Sequence, residues 1–516
     1  MELGDAPVQL TRATPVGVVG AGTMGAGIAQ IAATAGHPVL LLDTIAGRAQ
    51  IAIDGLIARL DRLTSRRKLT LAAAASVRSN LSAATDISDL AGCGLVIEAA
   101  VESLDVKRSI FTGLEAVVSE QCILATNTSS LSITAVAAAL RRPERCVGMH
   151  FFNPAAVMRL VEVVSGLATD PQVANIVAAL AISWGKTPVR VKSTPGFIVN
   201  RVARPFYGES LRALEEQTAD AATIDAVLRE CGGFRMGPLE LTDLIGQDVN
   251  LAVSRSVWEL LGQDPRYAPS SLQQDMVDAG RLGRKSGLGF YRYDRDAPVS
   301  EPSTAESSAA PSKVSLVGDW RQWNGLWERV TASGIDTVTA DVEDGRELHA
   351  ELPAGALLMP TDGRTATQRS VETGHPVITI DLTLDPATAN RFAIAASDGC
   401  PAAAVRGAIG LLQATGAAVS VLDDLPGLLV TRTVAMLVNE AVDVVARGVA
   451  TAADVDVAMR LGVGYPLGPL EWGDRIGAAA IVTVLDALNH DYPDGRYRAC
   501  TRLRRVAWAG GNLRDL

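Results

Sequence analysis

The chain has 516 residues, too many for one ordinary domain and enough for about three or four. Its formal net charge of −10 argues against a general nucleic-acid binder. It is rich in Ala, Gly and Val and only 4% aromatic, as α/β proteins are.

Val16-Gly17-Val18-Val19 reads as a short buried strand that runs into Gly20-Ala21-Gly22-Thr23-Met24-Gly25. That is the G-x-G-x-x-G pattern of a dinucleotide site. Gly20 permits the tight turn, Gly22 lets a pyrophosphate approach the backbone, and Gly25 lets the following helix lie close to the strand. The free N–H groups at the start of that helix face the phosphates. A glycine turn alone is weak. Here a second strand, Val39 to Leu42, follows the helix and ends in Asp43. A carboxylate there accepts from ribose hydroxyls and repels a 2′-phosphate, so the expected cofactor is NAD rather than NADP. A strand-end turn could also hold an acid, but strand, turn, helix, strand and acid fall in order.

A long helical pattern covers Arg48 to Arg67 and a second, Ala-rich one follows. Arg59, Arg62 and Arg66 share one helical face, either as a solvated stripe or as a grip on the phosphates of a large anionic substrate. Leu95 to Ala100 and Cys122 to Thr126 are further strands. The second leads into the polar loop Asn127-Thr128-Ser129-Ser130, at a strand's carboxyl end, where open parallel sheets bind ligands. Cys146 to Pro154 forms a strand and turn, and Leu160 to Val164 the next strand.

Glu162 has two apolar residues on each side. A buried carboxylate is costly unless paired. His150, one of only five histidines, lies one hairpin away on the neighbouring strand. Pairing them fixes one imidazole tautomer and leaves the other nitrogen as a general base. An edge-strand Glu in water and a core His bonded to backbone is the bland alternative for each residue alone. Together, downstream of a dinucleotide fingerprint, the two favour catalysis.

From Ser193 the texture becomes helical, with helices expected over Ile198 to Gln217, Ile224 to Glu230 and Leu239 to Leu261. Residues 295–312 are rich in Pro, Ser, Ala and Glu and read as a flexible linker. The second half then repeats part of the first. Pro195-Gly196-Phe197-Ile198-Val199-Asn200-Arg201 returns as Pro426-Gly427-Leu428-Leu429-Val430-Thr431-Arg432, and Gly237-Pro238-Leu239-Glu240 returns as Gly468-Pro469-Leu470-Glu471. Both pairs are 231 positions apart. Between them, 313–422 looks like a shortened α/β layer with strands at Lys313 to Val317, Val377 to Asp381 and Phe392 to Ala396, and no G-x-G-x-x-G after the first. In this register His150 falls near Asp381 or Leu382, Glu162 near Ala393 or Ile394, and Asn200 on Thr431. The second copy is therefore expected to keep packing residues and lose the polar ones. That leaves one active site per chain, with the second helical domain packed against the first as a twofold mate.

With these residues in view, the chain resembles the 3-hydroxyacyl-CoA dehydrogenase family, closely over 15–293 and again over 426–490. The motifs that carry the likeness are the glycine turn, Asn127-Thr128-Ser129-Ser130, His150-Phe151-Phe152-Asn153-Pro154, Glu162 and Pro195 to Arg201. The long form resembles bacterial enzymes of phenylacetate degradation, which act on 3-hydroxyadipyl-CoA, with relatives that act on 3-hydroxybutyryl-CoA.

The resemblance implies an α/β Rossmann domain (15–192), an all-α domain (193–294), a linker (295–312), a degenerate Rossmann-like insert (313–422) and a second copy of the all-α domain (423–516). It implies reversible NAD-dependent oxidation of (3S)-3-hydroxyacyl-CoA to 3-oxoacyl-CoA. His150 would be the general base and Glu162 its partner, with Ser129 and Asn200 on the substrate oxygen. Gly20, Ala21, Gly22, Thr23, Met24, Gly25, Asp43, Glu102, Lys107, Ser129 and Asn153 would line the NAD site, and Lys285 would reach it from the helical domain. Arg59 and Arg66 would meet the CoA phosphates, although arginines depart from the family's usual residues there. The alternatives are a sugar-acid dehydrogenase of the same architecture, against which no lysine-based catalytic motif is visible, and a non-catalytic NAD-binding or structural relative.

Cys93, Cys122, Cys146, Cys231, Cys400 and Cys500 show no Cys-x-x-Cys pairing, which suits a reducing compartment and offers no metal site. The first fourteen residues lack an apolar signal core, and no apolar run is long enough for a bilayer. The expectation is a cytoplasmic protein with an acyl-CoA substrate, no nucleic-acid or membrane partner, and a homo-oligomeric or internally paired arrangement.

Overall fold

A computed structural model describes residues 10–294, 298, 300–339 and 347–516. The chain divides into two compact units. The first holds the residues up to Arg201 together with Val444–Val463, and the second holds Val202–Asp443 and Gly464–Leu516.

The first unit is built on eight strands: β1 (Val16–Val19), β2 (Val39–Leu42), β3 (Leu81–Ala83), β4 (Leu95–Glu98), β5 (Ile123–Thr126), β6 (Cys146–Phe151), β7 (Leu160–Ser165) and β8 (Thr187–Lys192). Their order is β3-β2-β1-β4-β5-β6-β7-β8. All neighbours are parallel except β6 and β7. Helices α1 (Thr23–Thr34), α2 (Arg48–Ser65), α3 (Leu71–Ser79), α4 (Leu104–Val117), α5 (Ile133–Ala137) and α6 (Pro171–Ser183) connect them. Covered on both faces, the central strands are apolar runs rather than alternating ones. Every residue of β1, β4 and β5 is buried. The core runs through Val18, Leu41, Ile97, Ala125, Val147 and Val163.

The expected helices past Ser193 are more broken than the sequence suggested. α7 (Val199–Val202) gives way to α8 (Arg204–Glu215), with Pro205 in its first turn, where its missing N–H costs nothing. α9 (Ala221–Glu230) follows. The reading Leu239 to Leu261 splits into α10 (Pro238–Ile245) and α11 (Gln247–Leu260) at Gly246, whose φ of 104° ends a helix. α12 (Ser271–Asp278) closes this copy.

The second sheet contains β9 (Lys313–Val317), β10 (Asp336–Thr339), β11 (His349–Glu351), β12 (Leu357–Pro360), β13 (Val377–Ile380), β14 (Arg391–Ala396) and β15 (Ala418–Leu422), in the order β10-β9-β11-β12-β13-β14-β15. Helices α13 (Asn324–Ala332), α14 (Ala366–Thr373) and α15 (Ala402–Gln413) accompany it. One strand sets it apart from the first sheet. β11 runs antiparallel to both neighbours, where the first sheet has parallel β4. The crevice of an open α/β sheet needs adjacent carboxyl ends, and a reversed strand removes one. The linker reading needs correction as well. Ser303, Ala305 and Ser308 are tied by hydrogen bonds to Thr223, Val419 and Gln413, so residues 300–311 lack regular structure but are held along the second unit, while 295–297 and 299 lie outside the described residues.

The last helices are α16 (Val430–Ala446), α17 (Ala452–Gly462), α18 (Pro469–Ile476), α19 (Ala478–Asp491) and α20 (Thr501–Ala509). α17 packs on β7 and β8 within the first unit, where Lys192 N–H donates to Val449. Within the second unit the two helical copies exchange equivalent contacts. Glu209 accepts from Arg496 (3.0 Å) and Tyr497 (2.7 Å), and Glu440 accepts from Arg266 (2.7 Å) and Tyr267. Glu209 and Glu440 are 231 positions apart, and their partners 230. Residue i of one copy meets j of the other, and j meets i, which is the pattern of an isologous interface. Burial opposes ionisation of Glu209, but Arg496, Arg432 and Tyr497 outweigh it and hold its carboxyl below the usual range.

Candidate active site

The site grows from the ends of β1, β4, β5, β6 and β7. Gly20, at φ 104°, turns the chain out of β1. Asp43 at the end of β2 is turned onto this loop and accepts the Ala21 N–H at 2.7 Å. Ala21, Thr23 and Met24 form the rim of the turn, and Thr23 opens α1. A methyl group on Gly22 would meet nothing within 4 Å, so the backbone there stands open to a ligand. An open glycine, a helix N-terminus and a strand-end carboxylate together suit a dinucleotide.

β6 and β7 pair antiparallel with His150 directly opposite Glu162. His150 Nδ1 lies 2.6 Å from Glu162 Oε2. Glu162 is fully buried and His150 is 5% exposed. The other carboxylate oxygen accepts the N–H groups of Ile198 (3.0 Å) and Val199 (3.1 Å). One buried acid therefore fixes the imidazole and also the turn that carries Asn200. Asn200 Nδ2 in turn donates to the Ser129 carbonyl at 3.3 Å. Asn127 ties the polar loop to β6 by accepting from Phe151 N–H at 2.8 Å. His150, Glu162, Ser129 and Asn200 are thus brought together. Asn153 is exposed at the end of β6, beside a cis peptide bond to Pro154.

Glu98 was passed over in the sequence reading. It ends β4, is fully buried, and pairs with Lys107 Nζ at 2.7 Å. It also accepts from Ala100 N–H (2.6 Å) and the Thr126 hydroxyl (2.7 Å). Lys107 continues to Glu102 Oε2 at 3.3 Å. Glu102 Oε1 gathers the Thr128 hydroxyl (2.6 Å) and the N–H groups of Ser129 (2.9 Å) and Ser130 (3.0 Å). Burial opposes ionisation of Glu102, but Lys107 and these donors prevail and hold its carboxyl below the usual range. Lys107 was expected along the cofactor, yet it is 1% exposed and held between two acids. The sequence carried a signal: Glu98, like Glu162, interrupts an apolar run.

Two other expectations change, that of the arginine stripe and that of an apolar second copy, while Lys285 stays in the helical domain where it was expected. Arg66 is the C-cap of α2, beyond the helix body, and Arg59 is turned onto Gln30. Arg67 and Lys68 instead line a depression of about 430 Å³ after α2. Lys285 belongs to the second unit, where its ammonium pairs with Asp248. The second copy has not lost all its polar groups either. Asp381 opposes Ala393, as His150 opposes Glu162, and is fully buried. Its carboxylate accepts from Leu429 (2.9 Å) and Val430 (2.7 Å), the counterparts of Ile198 and Val199. The turns match in backbone, with Phe197 at φ 49° and Leu428 at φ 50°. The clamp on the turn survives from the neighbouring strand, while the imidazole is gone.

Comparison with known proteins gives the family. The model of the 3-hydroxyacyl-CoA dehydrogenase NAD-binding domain matches residues 15–194, and that of the C-terminal domain matches 196–293 and again 427–514. The 3-hydroxybutyryl-CoA dehydrogenase reduced Rossmann-fold domain matches 358–426. The chain is 48% identical to the 3-hydroxyadipyl-CoA dehydrogenase of Escherichia coli K12, over 95% of this chain and 97% of that one. It is 42% identical to the 3-hydroxybutyryl-CoA dehydrogenase of Clostridioides difficile, over 54% of this chain and 99% of that one. A crystal structure of 3-hydroxybutyryl-CoA dehydrogenase from E. coli K12 matches with a TM-score of 0.87 and 46% identity, covering 96% of this chain and 99% of that one. With a dinucleotide turn, a buried His–Glu pair and two family domains in order, the chain belongs to the NAD-dependent 3-hydroxyacyl-CoA dehydrogenase family.

Proposed function

We propose that His150 is the general base of this enzyme and that its substrates are short or dicarboxylyl 3-hydroxyacyl-CoA thioesters, with 3-hydroxyadipyl-CoA and 3-hydroxybutyryl-CoA as the leading candidates. The observation that carries the reading is the 2.6 Å contact between His150 Nδ1 and buried Glu162. It makes Nδ1 the donor and leaves Nε2 as the proton acceptor for the 3-hydroxyl. Glu162 then stabilises the imidazolium without leaving its two backbone donors. Ser129 and Asn200 hold the oxygen as it becomes a ketone and orient C3. Bound NAD supplies the hydride acceptor. The glycine turn and Asp43 would hold it. The basic turn at Arg67 and Lys68 would meet the CoA phosphates. The reading places the enzyme in the cytoplasm, where its six free cysteines stay reduced.

His150→Gln is expected to keep NADH affinity while hydride transfer falls by roughly two to four orders of magnitude. An NADH assay against a panel of 3-oxoacyl-CoA thioesters, one of them dicarboxylyl, decides the substrate class. Full activity of the variant, or no turnover of any thioester, would overturn the reading.

A further inference from the structure

Glu98 has no atom on the loop's Ser129, yet it holds that loop by two arms. One arm runs through Lys107 to Glu102, whose single oxygen Oε1 gathers the backbone of Ser129 and Ser130. The other runs through the Thr126 hydroxyl, which donates to Glu98 Oε2 and accepts the Thr128 N–H at 3.2 Å. Glu98 and Lys107 are 0% and 1% exposed, so both arms start from side chains locked by packing. We propose that Glu98 is a positioning residue for hydride transfer, acting through Lys107 and Thr126 to set the Ser129 loop against the substrate oxygen. The inference rests on Ser129 as an oxygen-binding residue in the proposed function.

The physical case is one of charge and leverage. Two carboxyl groups flank the Lys107 side chain, at 2.7 Å and 3.3 Å, and keep it between two partners instead of swung onto one. Without the Glu98 charge, Lys107 swings onto Glu102, whose side chain is 37% exposed and free to follow it. A Glu102 drawn toward the ammonium would release the Ser129 and Ser130 N–H groups together, and a loop shift of about 1 Å can cost a hundredfold in rate. Glu98→Gln keeps the shape and the Ala100 contact but removes the charge that fixes Lys107.

The test is a double-mutant cycle of Glu98→Gln with Ser129→Ala, read as kcat/KM for acetoacetyl-CoA reduction, beside NADH affinity by fluorescence titration. Glu98→Gln alone is expected to lower kcat/KM roughly ten- to a hundredfold with NADH affinity within about twofold. In the Ser129→Ala background the same change should cost less than about threefold, because the loop it positions has lost its hydroxyl. Additive losses would overturn the proposal, since a general structural defect adds to Ser129→Ala. An equal loss in NADH affinity would also overturn it, by assigning Glu98 to the cofactor. Full activity of Ser129→Ala alone would sink the Ser129 assignment, and the proposal with it, by a separate result. If Glu98→Gln does not fold, Glu98→Gln/Lys107→Met removes the stranded ammonium as well, and the same readouts decide.

Discussion

A methyl group at Gly25 would lie 1.7 Å from the Gly20 carbonyl oxygen, and one at Gly20 would lie 2.6 Å from the Ala99 oxygen. At Gly22 it would meet nothing within 4 Å, and the backbone there is ordinary at φ −71°. Two of these glycines are therefore demanded by the fold, and the third is not. Gly22→Ala is expected to melt at or slightly above the parent temperature, a gain of up to about 1 kcal/mol from the stiffer unfolded chain. NADH affinity should fall roughly tenfold or more, about 1.4 kcal/mol, because the methyl stands where the pyrophosphate must approach. Unchanged NADH affinity would show that the cofactor does not pass over this residue. His150 was legible as one of five histidines, one hairpin away from Glu162, and Glu162 because it breaks an apolar run. Glu98 breaks one too, but its partner Lys107 sits one helical entry later, and only the fold shows that its side chain turns inward. The arginine stripe misled for a related reason: spacing gives the face of a helix and says nothing of its last residue, and α2 stops at Ser65.

Elements were more legible in the first sheet than in the second, and the reason is geometric. Buried parallel strands write themselves as apolar runs, so β1, β2, β5 and β7 could be read directly. β11 is three residues long and its direction is set by the hairpin that joins it to β12. No local pattern encodes that reversal. Helix joints carry a different signature, buried acids that cap the next helix. Asp225 on α9 accepts from Leu239 (2.9 Å) and Glu240 (2.8 Å) at the start of α10 and from Tyr291 (2.7 Å) in the tail. Burial pushes its carboxyl up, to about 6 from 3.8, against the pull of those donors. The folded chain thus binds this proton more tightly than the unfolded one. The contribution is complete below about pH 4 and is lost as pH rises through 6, a change of about 2 to 3 kcal/mol. Asp225→Asn carries no such proton. Its melting temperature is expected to fall less than the parent's between pH 4 and 6, since all other groups are common to both proteins. Parallel melting curves across that range would remove Asp225 from the pH dependence.

At the scale of the whole chain, the duplication sets two equivalent surfaces against each other inside the second unit. Glu209 with Arg496 and Tyr497, and Glu440 with Arg266 and Tyr267, bury the same chemistry twice. Breaking one partner of such a buried pair leaves a charge without compensation, which typically costs about 3 to 5 kcal/mol. The first copy alone carries both halves of this lock: Glu209 on α8 as acceptor, Arg266 and Tyr267 as donors. Two identical copies can therefore satisfy each other about a twofold axis, whereas one copy by itself cannot. The relative from C. difficile aligns over 282 residues that make up 99% of its own length, so it is about as long as the first copy. A fragment ending at residue 294 is accordingly expected to sediment as a dimer at micromolar concentration. Glu209→Ala or Arg266→Ala in that fragment should shift it toward monomer. The full chain, whose second copy already covers this surface, should not pair through it. A fragment that stays monomeric at tens of micromolar would mean that the reciprocal contacts follow from tethering and lack the strength to assemble two separate copies.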